Sequence, residues 1–178
     1  MKLSIVTAVF NGRDTIADAL ESLFAQTHPD IESIVIDGGS TDGTLEILRA
    51  QQARLGVLVS EPDRGLYDAL NKGLRLARGD VVGFLHSDDL FADAAVLSRV
   101  AAAFADPAVC AVYGDLQYVR KGDTRRVVRH WKSAPFRARL LARGWMPPHP
   151  SLYVRREWYE RIGGFDTRYR IAADYFSI

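Results

Sequence analysis

Apolar residues follow two alternating patterns along the first half of the chain. Short, almost continuous apolar runs have the length of buried β-strands. They span residues 3–9, 34–36, 57–59 and 81–85. Between these runs, apolar residues three or four positions apart predict helices, and Asp14 is placed to cap the first of them. Strands this apolar, separated by helices, are typical of a parallel sheet covered on both faces. We therefore expect an α/β fold, a three-layer sandwich with a mainly parallel central sheet.

The pattern changes beyond residue 110. Short strands are expected at 111–113, 117–119 and 126–128, and the last two flank a turn at 121–124. These strands predict a small antiparallel addition to the sheet. No internal repeat, Pro-rich linker or low-complexity tract separates the two parts. We therefore expect a single domain over 1–178, made of two halves of about 1–110 and 111–178.

The composition fits one globular domain. With 178 residues, of which 48% are hydrophobic and 25% charged, the chain can bury a sizeable core, which disfavours a disordered or fibrous protein. The single cysteine, Cys110, has apolar neighbours, so we expect a buried and reduced thiol, in keeping with the cytoplasm. The sequence shows no signal peptide, and no apolar run approaches the roughly 20 residues that span a bilayer.

Charge is distributed unevenly along the chain. Residues 120–143 contain nine Lys or Arg and one acid, a net charge of +8, which leaves −7 for the rest because the whole chain carries +1. Trp131 lies in this stretch with Phe136, and Trp145 follows it. Basic and aromatic side chains together can contact an anionic membrane surface or a lipid-linked diphosphate. The alternative is a solvated basic face. Nucleic acid is disfavoured as a partner, since no known binding motif accompanies the charge.

Polar residues follow each predicted strand of the first half. Ligands of open α/β sheets bind at the carboxyl ends of the strands, so these residues are candidates for a site. The four exits read Phe10-Asn11-Gly12, Asp37-Gly38-Gly39-Ser40, Glu61-Pro62-Asp63-Arg64-Gly65 and His86-Ser87-Asp88-Asp89. Adjacent carboxylates are costly unless a cation neutralises them, and such hard oxygen ligands suit Mg²⁺ or Mn²⁺, ions that can hold a diphosphate. The alternative for Asp88 and Asp89 is a turn that caps a helix.

Six segments in order resemble the inverting glycosyltransferases of family two, which have the glycosyltransferase-A fold with a Rossmann-like nucleotide-binding half. They are residues 7–11, 37–44, 60–73, 84–89, 149–151 with 162–166, and 171–175. The resemblance covers almost the whole chain. The Glu-Pro-Asp at 61–63 and the Ala-Ala-Asp at 172–174 are most similar to members that build exopolysaccharide and other surface glycans.

The resemblance implies a role for individual residues. It assigns Asp89 to the metal, Asp88 to the ribose or the metal, Phe10 to the face of the base, and Asp174 to the catalytic base. An aromatic face can stack on a nucleobase, and a carboxylate can accept the proton of an attacking hydroxyl. The further donor-binding candidates are Thr7, Asn11, Asp37, Asp63, Arg64, Asn71 and Lys72.

Each assignment has an alternative. Phe10 could pack in the core at a strand end, and Asp174 could be an ordinary residue at a helix start. The charged residues of 61–72 could form a solvated loop and helix face. His149 either lines the site or packs within a loop.

The resemblance implies an activity as well. We expect metal-assisted hexosyl transfer, with inversion, from a UDP-, GDP- or dTDP-linked sugar to a cell-envelope or exopolysaccharide acceptor, such as a sugar or a lipid-linked glycan. The expected location is the cytoplasm or the inner face of the plasma membrane. Many relatives carry two acids where this chain has Asp37-Gly38, so specificity for uracil is not implied. Relatives also continue beyond the position of Asp174, so we expect a chain truncated at its C-terminal side.

Two other functions compete with transfer. A catalytically incomplete module that binds nucleotide sugars would share the donor residues. A sugar nucleotidyltransferase would need a Gly-rich phosphate loop with a basic residue after the first strand, and residues 10–13 match this poorly. The sequence disfavours a Rossmann dehydrogenase. Its glycine-rich residues 38–43 follow the second strand and lack the G-x-G-x-x-G spacing.

Overall fold

The computed structural model describes residues 1–169 and 172–176. Eight strands are present in the described residues: β1 (Leu3–Val9), β2 (Ile31–Asp37), β3 (Val57–Ser60), β4 (Val81–Phe84), β5 (Ala111–Tyr113), β6 (Leu116–Arg120), β7 (Asp123–Trp131) and β8 (Leu152–Arg155). The α-helices are α1 (Ile16–Phe24), α2 (Thr44–Ala50), α3 (Leu66–Leu76), α4 (Val96–Ala103), α5 (Ala138–Leu141), α6 (Arg156–Ile162) and α7 (Ala173–Phe176). Single 3₁₀ turns lie at Gln52–Arg54 and His149–Ser151.

The main sheet has six strands in the order β3-β2-β1-β4-β8-β5. β1, β2, β3 and β4 run parallel, and all seven residues of β1 are buried, as expected for a strand covered on both faces. β8 pairs antiparallel with both β4 and β5, so β5 again points the same way as β1. The predicted α/β fold with a mainly parallel sheet is confirmed.

Helices cover both faces of this sheet. On one face α3 packs against β1 and β2, in a core cluster that contains Val6, Ile34 and Leu70. A Cβ added to Gly73 would lie 2.2 Å from the Val6 side chain, so glycine lets α3 cross β1 at close range. On the other face, residues of α1 and α4 form clusters with the remaining side chains of β1, β2 and β4. The result is the expected three layers, helix, sheet and helix.

The predicted antiparallel addition is only partly correct. β5 does join the main sheet, beside β8, but β6 and β7 form a separate two-stranded sheet. Their turn occupies only Lys121 and Gly122, with Gly122 at φ +81°, because β7 begins at Asp123. Nearly every residue of these two strands is exposed. Charged residues on both faces of this hairpin leave no apolar face to bury against the core, which explains its separation from the sheet.

Three local expectations need correction or fall outside the structure. The prediction of a buried Cys110 is wrong: the residue is exposed, just before the edge strand β5. Asp14 does not cap α1, which begins at Ile16 without a side-chain cap, and its carboxylate instead lies 3.6 Å from Nζ of Lys121. Ile171, in the last of the matching segments, lies outside the described residues.

Within residues 1–169 and 172–176, no helix is both long enough and apolar enough to cross a bilayer.

Candidate functional site

The exits of β1 and β2 are joined by hydrogen bonds. Asn11 takes a left-handed conformation, φ +52°, and its backbone N–H donates to Oγ of Ser40 at 2.8 Å. The N–H of Thr41 donates to Oδ1 of Asn11 at 2.9 Å. Asn tolerates this backbone conformation better than most residues. The predicted site residue Asn11 therefore holds two strand exits together, and we call the combined exits of β1, β2, β3 and β4 the rim.

Asp37 links the second exit to the third. It is fully buried, at 0% exposure, and its carboxylate accepts a 2.7 Å hydrogen bond from Oγ of Ser60. The N–H of Ser40 also points at this carboxylate, at 3.2 and 3.3 Å from its two oxygens. Ser60 is the partner of Asp37 in the parallel register of β2 and β3. These two donors, of which the Ser40 N–H is shared between both oxygens, allow the carboxylate to remain buried.

Asp63 occupies the space beside residue 38. A Cβ added to Gly38 would lie 2.5 Å from Oδ2 of Asp63, so a side chain at this position would displace the Asp63 carboxylate. Oδ1 of Asp63 accepts a 2.8 Å hydrogen bond from the N–H of Gly65, which fixes the loop before α3.

The acid pair Asp88-Asp89 follows β4. This exit contacts the first one, since a Cβ on Gly12 would lie 3.4 Å from Oγ of Ser87. Asp88 is exposed and Asp89 half-buried, and neither forms an ion pair with a described residue. Burial raises the pKa of Asp89, the neighbouring His86 opposes this, and the charge of Asp88 adds to it. Two carboxylates without a cation are thus held at the rim at an electrostatic cost.

These acids fit a divalent cation by the nature of their donors. Carboxylate oxygens are the ligands that Mg²⁺ and Mn²⁺ prefer, and a cation would offset both the burial that chiefly raises the Asp89 pKa and the smaller repulsion from Asp88. In the described part of the chain, no three His, Cys, Asp or Glu side chains are grouped closely enough to hold a metal by themselves. A cation here would complete its coordination with oxygens from outside the protein, such as phosphates and water.

Phe10 and Thr7 differ sharply in exposure. Phe10 is 64% exposed at the end of β1, so it does not pack in the core, and its ring is available to a planar ligand. Thr7 is 1% exposed, within β1, and its Oγ1 has no hydrogen-bond partner among the described residues. Its role in donor binding stays a prediction.

The remaining donor-side candidates are engaged with neighbouring groups. Arg64 is 81% exposed and its guanidinium lies 3.3 Å from Oδ1 of Asp68. Nζ of Lys72 lies 2.7 Å from Oε1 of Glu61 and donates to the carbonyl of Pro62 at 3.1 Å. Lys72 therefore fixes the loop that follows β3, and only Arg64 extends freely into solvent.

Asn71 holds the two halves of the chain together. Its amide donates to the carbonyl of Phe165 and accepts from the Phe165 N–H, both at 2.8 Å. A Cβ on the preceding Gly164 would lie 2.5 Å from Oδ1 of Asn71, so glycine permits this approach. The amide predicted to bind the donor is thus committed to the backbone of the second half, which brings residues 163–166 against α3.

His149 is buried next to the rim. Its ring stacks on Phe84, with ring centres 5.1 Å apart, and lies 5.4 Å from the ring of His86. Both ring nitrogens are buried without a hydrogen-bond partner among the described residues. Burial and the nearby His86 lower the pKa of His149 to about 4, although Asp174 acts in the opposite direction. The imidazole is therefore neutral near pH 7.

Asp174 reaches the same region from the other side. It lies in the first turn of α7, and its Oδ1 accepts a 2.9 Å hydrogen bond from the hydroxyl of Tyr67. The preceding Ala173 is fully buried in the core cluster beneath α3. The structure thus brings Asp174 to the start of α3, beside His149 and close to the loop that holds Asp63.

Three neighbours of the site were assigned no role from the sequence, although His86 lies in one of the four strand exits. Ser60, Tyr67 and His86 each contact or influence a predicted site residue. Ser60 could have been predicted from the sequence as a neighbour of Asp37, because the last residues of adjacent parallel strands are paired. Lys121, at the tip of the β6–β7 hairpin, meets Asp14 beside an open pocket next to the rim. No local pattern indicates that this hairpin folds back over the β1–α1 loop.

Comparison with known proteins gives a consistent result. Residues 4–166 match the family described as Glycosyl transferase family 2. A PGL/p-HBAD biosynthesis glycosyltransferase of Mycobacterium bovis (strain BCG / Pasteur 1173P2) is 35% identical over 176 residues, which cover 97% of this chain and 66% of that protein.

Solved structures resemble the chain over nearly its whole length. The mannosyltransferase PcManGT from Pyrobaculum calidifontis, in complex with GDP-Man and Mn²⁺, superposes with a TM-score of 0.75 at 27% identity, covering 99% of this chain and 50% of that one. S. aureus TarS 1–349 in complex with UDP gives a TM-score of 0.78 at 22% identity, with coverage of 99% and 54%. The chain therefore spans about two thirds of the curated relative and about half of each solved chain.

Proposed function

This chain belongs to glycosyl transferase family 2, with the glycosyltransferase-A fold, and we propose that it binds a nucleotide diphosphate sugar and transfers its hexosyl group with inversion. The proposed acceptor is a hydroxyl of a cell-envelope or exopolysaccharide glycan, either a sugar or a lipid-linked chain. The donor is UDP-, GDP- or dTDP-linked. The observation that carries the proposal is the rim, where an exposed aromatic ring and two adjacent acids, one of them with a raised pKa, are held by adjoining strand exits.

The donor would bind along the rim from β2 towards β4. Phe10 offers a free aromatic face to the base, and Asp37, Asn11 and Asp63 form the polar edge beside it. Arg64, which is 81% exposed and pairs with Asp68, is the cation on this edge that would approach the phosphates. Thr7 lies beneath this surface, and Asn71 and Lys72 support it from α3.

Mn²⁺ or Mg²⁺ would be held by Asp89 and Asp88. When bound, the ion supplies positive charge that stabilises the departing nucleoside diphosphate. The residues fit this role because they offer hard oxygen donors and carry an electrostatic cost that a cation removes. The PcManGT complex, which contains GDP-Man and Mn²⁺, supports the choice of a divalent ion.

Asp174 would act as general base. In the proposed step, the acceptor oxygen forms a bond to the anomeric carbon on the face opposite the diphosphate, whose bond to that carbon breaks. The acceptor proton passes to the Asp174 carboxylate, and the bonding electrons leave with the nucleoside diphosphate. Attack from the opposite face inverts the anomeric configuration. Proton removal by a placed carboxylate is worth about 10² to 10⁴ in rate.

Calorimetric titration with UDP-GlcNAc and GDP-mannose, with and without Mn²⁺, tests the donor site. We expect Mn²⁺ to tighten the binding of at least one donor, and Asp89→Ala to remove the Mn²⁺-dependent part while the thermal unfolding transition survives. Asp30→Ala is the matched control, since Asp30 is an exposed acid directly before β2, at the opposite end of the strands from the acid pair. Equal Mn²⁺-dependent affinity in Asp89→Ala would remove the acid pair from the site.

Release of nucleoside diphosphate then separates an enzyme from a binding module. Water can replace the acceptor, so slow Mn²⁺-dependent hydrolysis of the bound donor is expected. Tight donor binding without any hydrolysis or transfer would favour a catalytically incomplete nucleotide-sugar-binding module.

We further propose that the β6–β7 hairpin contacts anionic lipid at the inner face of the plasma membrane. Arg120, Lys121, Arg125, Arg126 and Arg129 all project from this hairpin, against the single acid Asp123. Val127 and Val128 are exposed among them, at 46% and 69%. Basic groups near an anionic surface contribute about 1 kcal/mol each, and exposed apolar side chains can enter the headgroup region. The hairpin tip lies beside the rim, so such contact would place the site near lipid-linked acceptors.

Vesicle sedimentation tests this contact. Phosphatidylglycerol vesicles should bind the chain at low salt and lose it at high salt, and phosphatidylcholine vesicles should not bind it. Arg125→Glu with Arg126→Glu should weaken binding about 30-fold or more, whereas Arg49→Glu with Arg75→Glu, on exposed helix positions, should have little effect. Equal binding to both lipids would count against the proposal.

A further inference from the structure

The first turn of α3 reaches from the donor-side half to Asp174. Tyr67 is the second residue of α3 and follows directly on the loop after β3. Its hydroxyl donates a 2.9 Å hydrogen bond to Oδ1 of Asp174, across 107 positions of sequence. Its ring lies against Phe165, with ring centres 5.5 Å apart. The hydroxyl is therefore fixed in place by the helix start and by the ring contact.

The direction of this hydrogen bond is set by the chemistry of both groups. Burial raises the pKa of Tyr67, and the hydrogen bond to Asp174 and its negative charge raise it further. The phenol thus keeps its proton at neutral pH, and an ionised carboxylate can only accept. Oδ1 of Asp174 is taken, while no described residue donates a hydrogen bond to Oδ2. Within the described residues, Oδ2 is therefore the carboxylate oxygen left for a substrate hydroxyl.

The backbone around Asp174 is held as firmly as its side chain. Ala172 has φ +63°, an uncommon conformation for a residue with a Cβ, and Ala173 is fully buried. Asn71 lies one turn after Tyr67 on the same face of α3, and its amide forms hydrogen bonds with both the N–H and the carbonyl of Phe165. One face of α3 therefore fixes two points of the segment that carries Asp174.

Two other titratable groups face Asp174 from neighbouring elements. Tyr159 of α6 packs in the same core cluster, and the charge of Asp174 adds to the burial that raises the Tyr159 pKa. His149, before β8, is neutral because its pKa is lowered to about 4. Both act on Asp174 only through space, whereas the hydroxyl of Tyr67 bonds to it directly.

We infer that Tyr67 is a positioning residue for the general base: it holds Oδ1 of Asp174, so that Oδ2 is presented to the acceptor hydroxyl. This inference rests on the proposed function, because it takes Asp174 as the base. It adds that α3, which begins after the loop that follows β3, also orients the general base. Tyr67 itself exchanges no proton with the substrate.

Tyr67→Phe tests the inference, since it removes the hydroxyl and keeps the ring. With GDP-mannose or UDP-GlcNAc and Mn²⁺, release of nucleoside diphosphate should fall by about 10- to 100-fold in kcat, the range expected for a lost hydrogen bond to a charged group. KM for the donor should stay constant. A purely structural role would not confine the loss to kcat.

Tyr159→Phe is the matched control, because it removes a hydroxyl from the same cluster without breaking a bond to Asp174. It should leave kcat close to that of the parent. In the double variant Tyr67→Phe with Asp174→Asn, the loss should not exceed that of Asp174→Asn alone. Additive losses, or an unchanged kcat in Tyr67→Phe, would overturn the inference. Full activity of Asp174→Asn would instead overturn the proposed base.

A measurement independent of turnover checks the contact. In a protein labelled with ¹³C at the tyrosine ring, the signal lost in Tyr67→Phe identifies Tyr67 among the seven tyrosines. Asp174→Asn should lower the pKa of Tyr67, since it removes the negative charge that helps to raise it. An unchanged Tyr67 titration would show that the contact is absent in solution and overturn the inference. The expected shift without any turnover would leave the contact standing and count against the proposed function alone.

Discussion

The acid near the amino ends of the parallel strands and the acid pair that follows β4 differ in how their charge is satisfied. At the amino ends, Glu32 is 9% exposed and fully engaged: Ser4 Oγ donates to it at 2.6 Å, the Arg78 N–H at 2.8 Å and Lys2 Nζ at 3.3 Å. At the carboxyl ends, Asp88 and Asp89 have no ion pair with a described residue. The same sheet therefore carries one acid that is satisfied internally and a pair that is not.

The pKa shifts express this difference. Burial alone would raise the pKa of Glu32, but the hydrogen bonds from Ser4 and Arg78 and the Lys2 ammonium outweigh it, so the pKa is lowered. For Asp89 burial dominates and the pKa is raised. An acid whose pKa is lower in the folded chain than in the unfolded chain stabilises the fold at neutral pH. An acid whose pKa is raised on folding destabilises the fold at neutral pH. The second pattern is common at functional sites, where a ligand supplies the missing partner.

The largest effect that separates the two ends is expected from Asp174→Asn. Asn is nearly isosteric but cannot accept the acceptor proton, so transfer should fall by about 10² to 10⁴, or roughly 3 to 5 kcal/mol of transition-state stabilisation. Donor affinity and thermal stability should be kept. Glu32→Gln should show the reverse, with lower stability and a normal rate. Near-parental transfer by Asp174→Asn, with the donor still bound, would make Asp166 the next candidate for the base.

Much of this contrast could be predicted from the sequence. The apolar runs that became β1, β2, β3 and β4 are strong signals, and the carboxyl ends of such strands are where ligands bind. The sequence therefore singled out Phe10 and the acid pair Asp88-Asp89 as candidates, while the exposure of Phe10 comes from the structure. Glu32 was not singled out, because its hydrogen-bond donors lie far away in the sequence. An acid inside an apolar strand shows the same local sequence pattern with or without such donors.

Other features depend on contacts between distant residues. The Tyr67–Asp174 bond and the Asn71 clasp on Phe165 join positions 107 and 94 apart, and no periodicity reports such pairs. The hairpin was predicted as strands, but strand patterns do not say which sheet a strand joins. Cys110 was placed in the core from its apolar neighbours, yet it stands at a sheet edge, where alternate side chains face solvent.

The second effect in size concerns the buried His149. Its pKa is about 4 in the folded chain and near 6.5 when unfolded, so the unfolded chain binds the extra proton between these values. Stability is complete above pH 6.5 and is lost as pH falls towards 4, by about 3 kcal/mol. His149→Phe, which suits the aromatic neighbours, should remove this loss. Urea unfolding at several pH values measures it, and parallel profiles for both proteins would contradict the assignment.

The third effect is the stability loss of Glu32→Ala. The change leaves the Arg78 N–H and the Ser4 hydroxyl without their acceptor in a buried place, which costs about 1 to 3 kcal/mol. For a chain of this length the melting temperature should fall by roughly 2 to 4 °C for each kcal/mol. Mn²⁺-dependent donor binding should be unchanged. A loss of donor affinity that exceeds the loss of stability would mean that the two ends are coupled.

The smallest effect, and the sharpest test of the contrast, is Asp89→Asn in protein kept free of metal by EDTA. Because the folded pKa of Asp89 is raised, its stabilising protonated form is lost as pH rises through that pKa, so the ionised carboxylate destabilises the fold at neutral pH. The neutral amide should therefore raise the melting temperature slightly, by less than Glu32→Ala lowers it. This gain should shrink as pH falls and Asp89 takes up its proton. Glu32 behaves oppositely, since its contribution is present at neutral pH and fades as pH falls through its lowered pKa.

Excess Mn²⁺ should then stabilise the parent and leave Asp89→Asn unchanged, because the variant lacks the charge that binds the ion. Differential scanning fluorimetry across pH measures all three trends. A lower melting temperature for metal-free Asp89→Asn at neutral pH would show that Asp89, like Glu32, is satisfied within the fold, and the distinction between the two ends of the sheet would be lost.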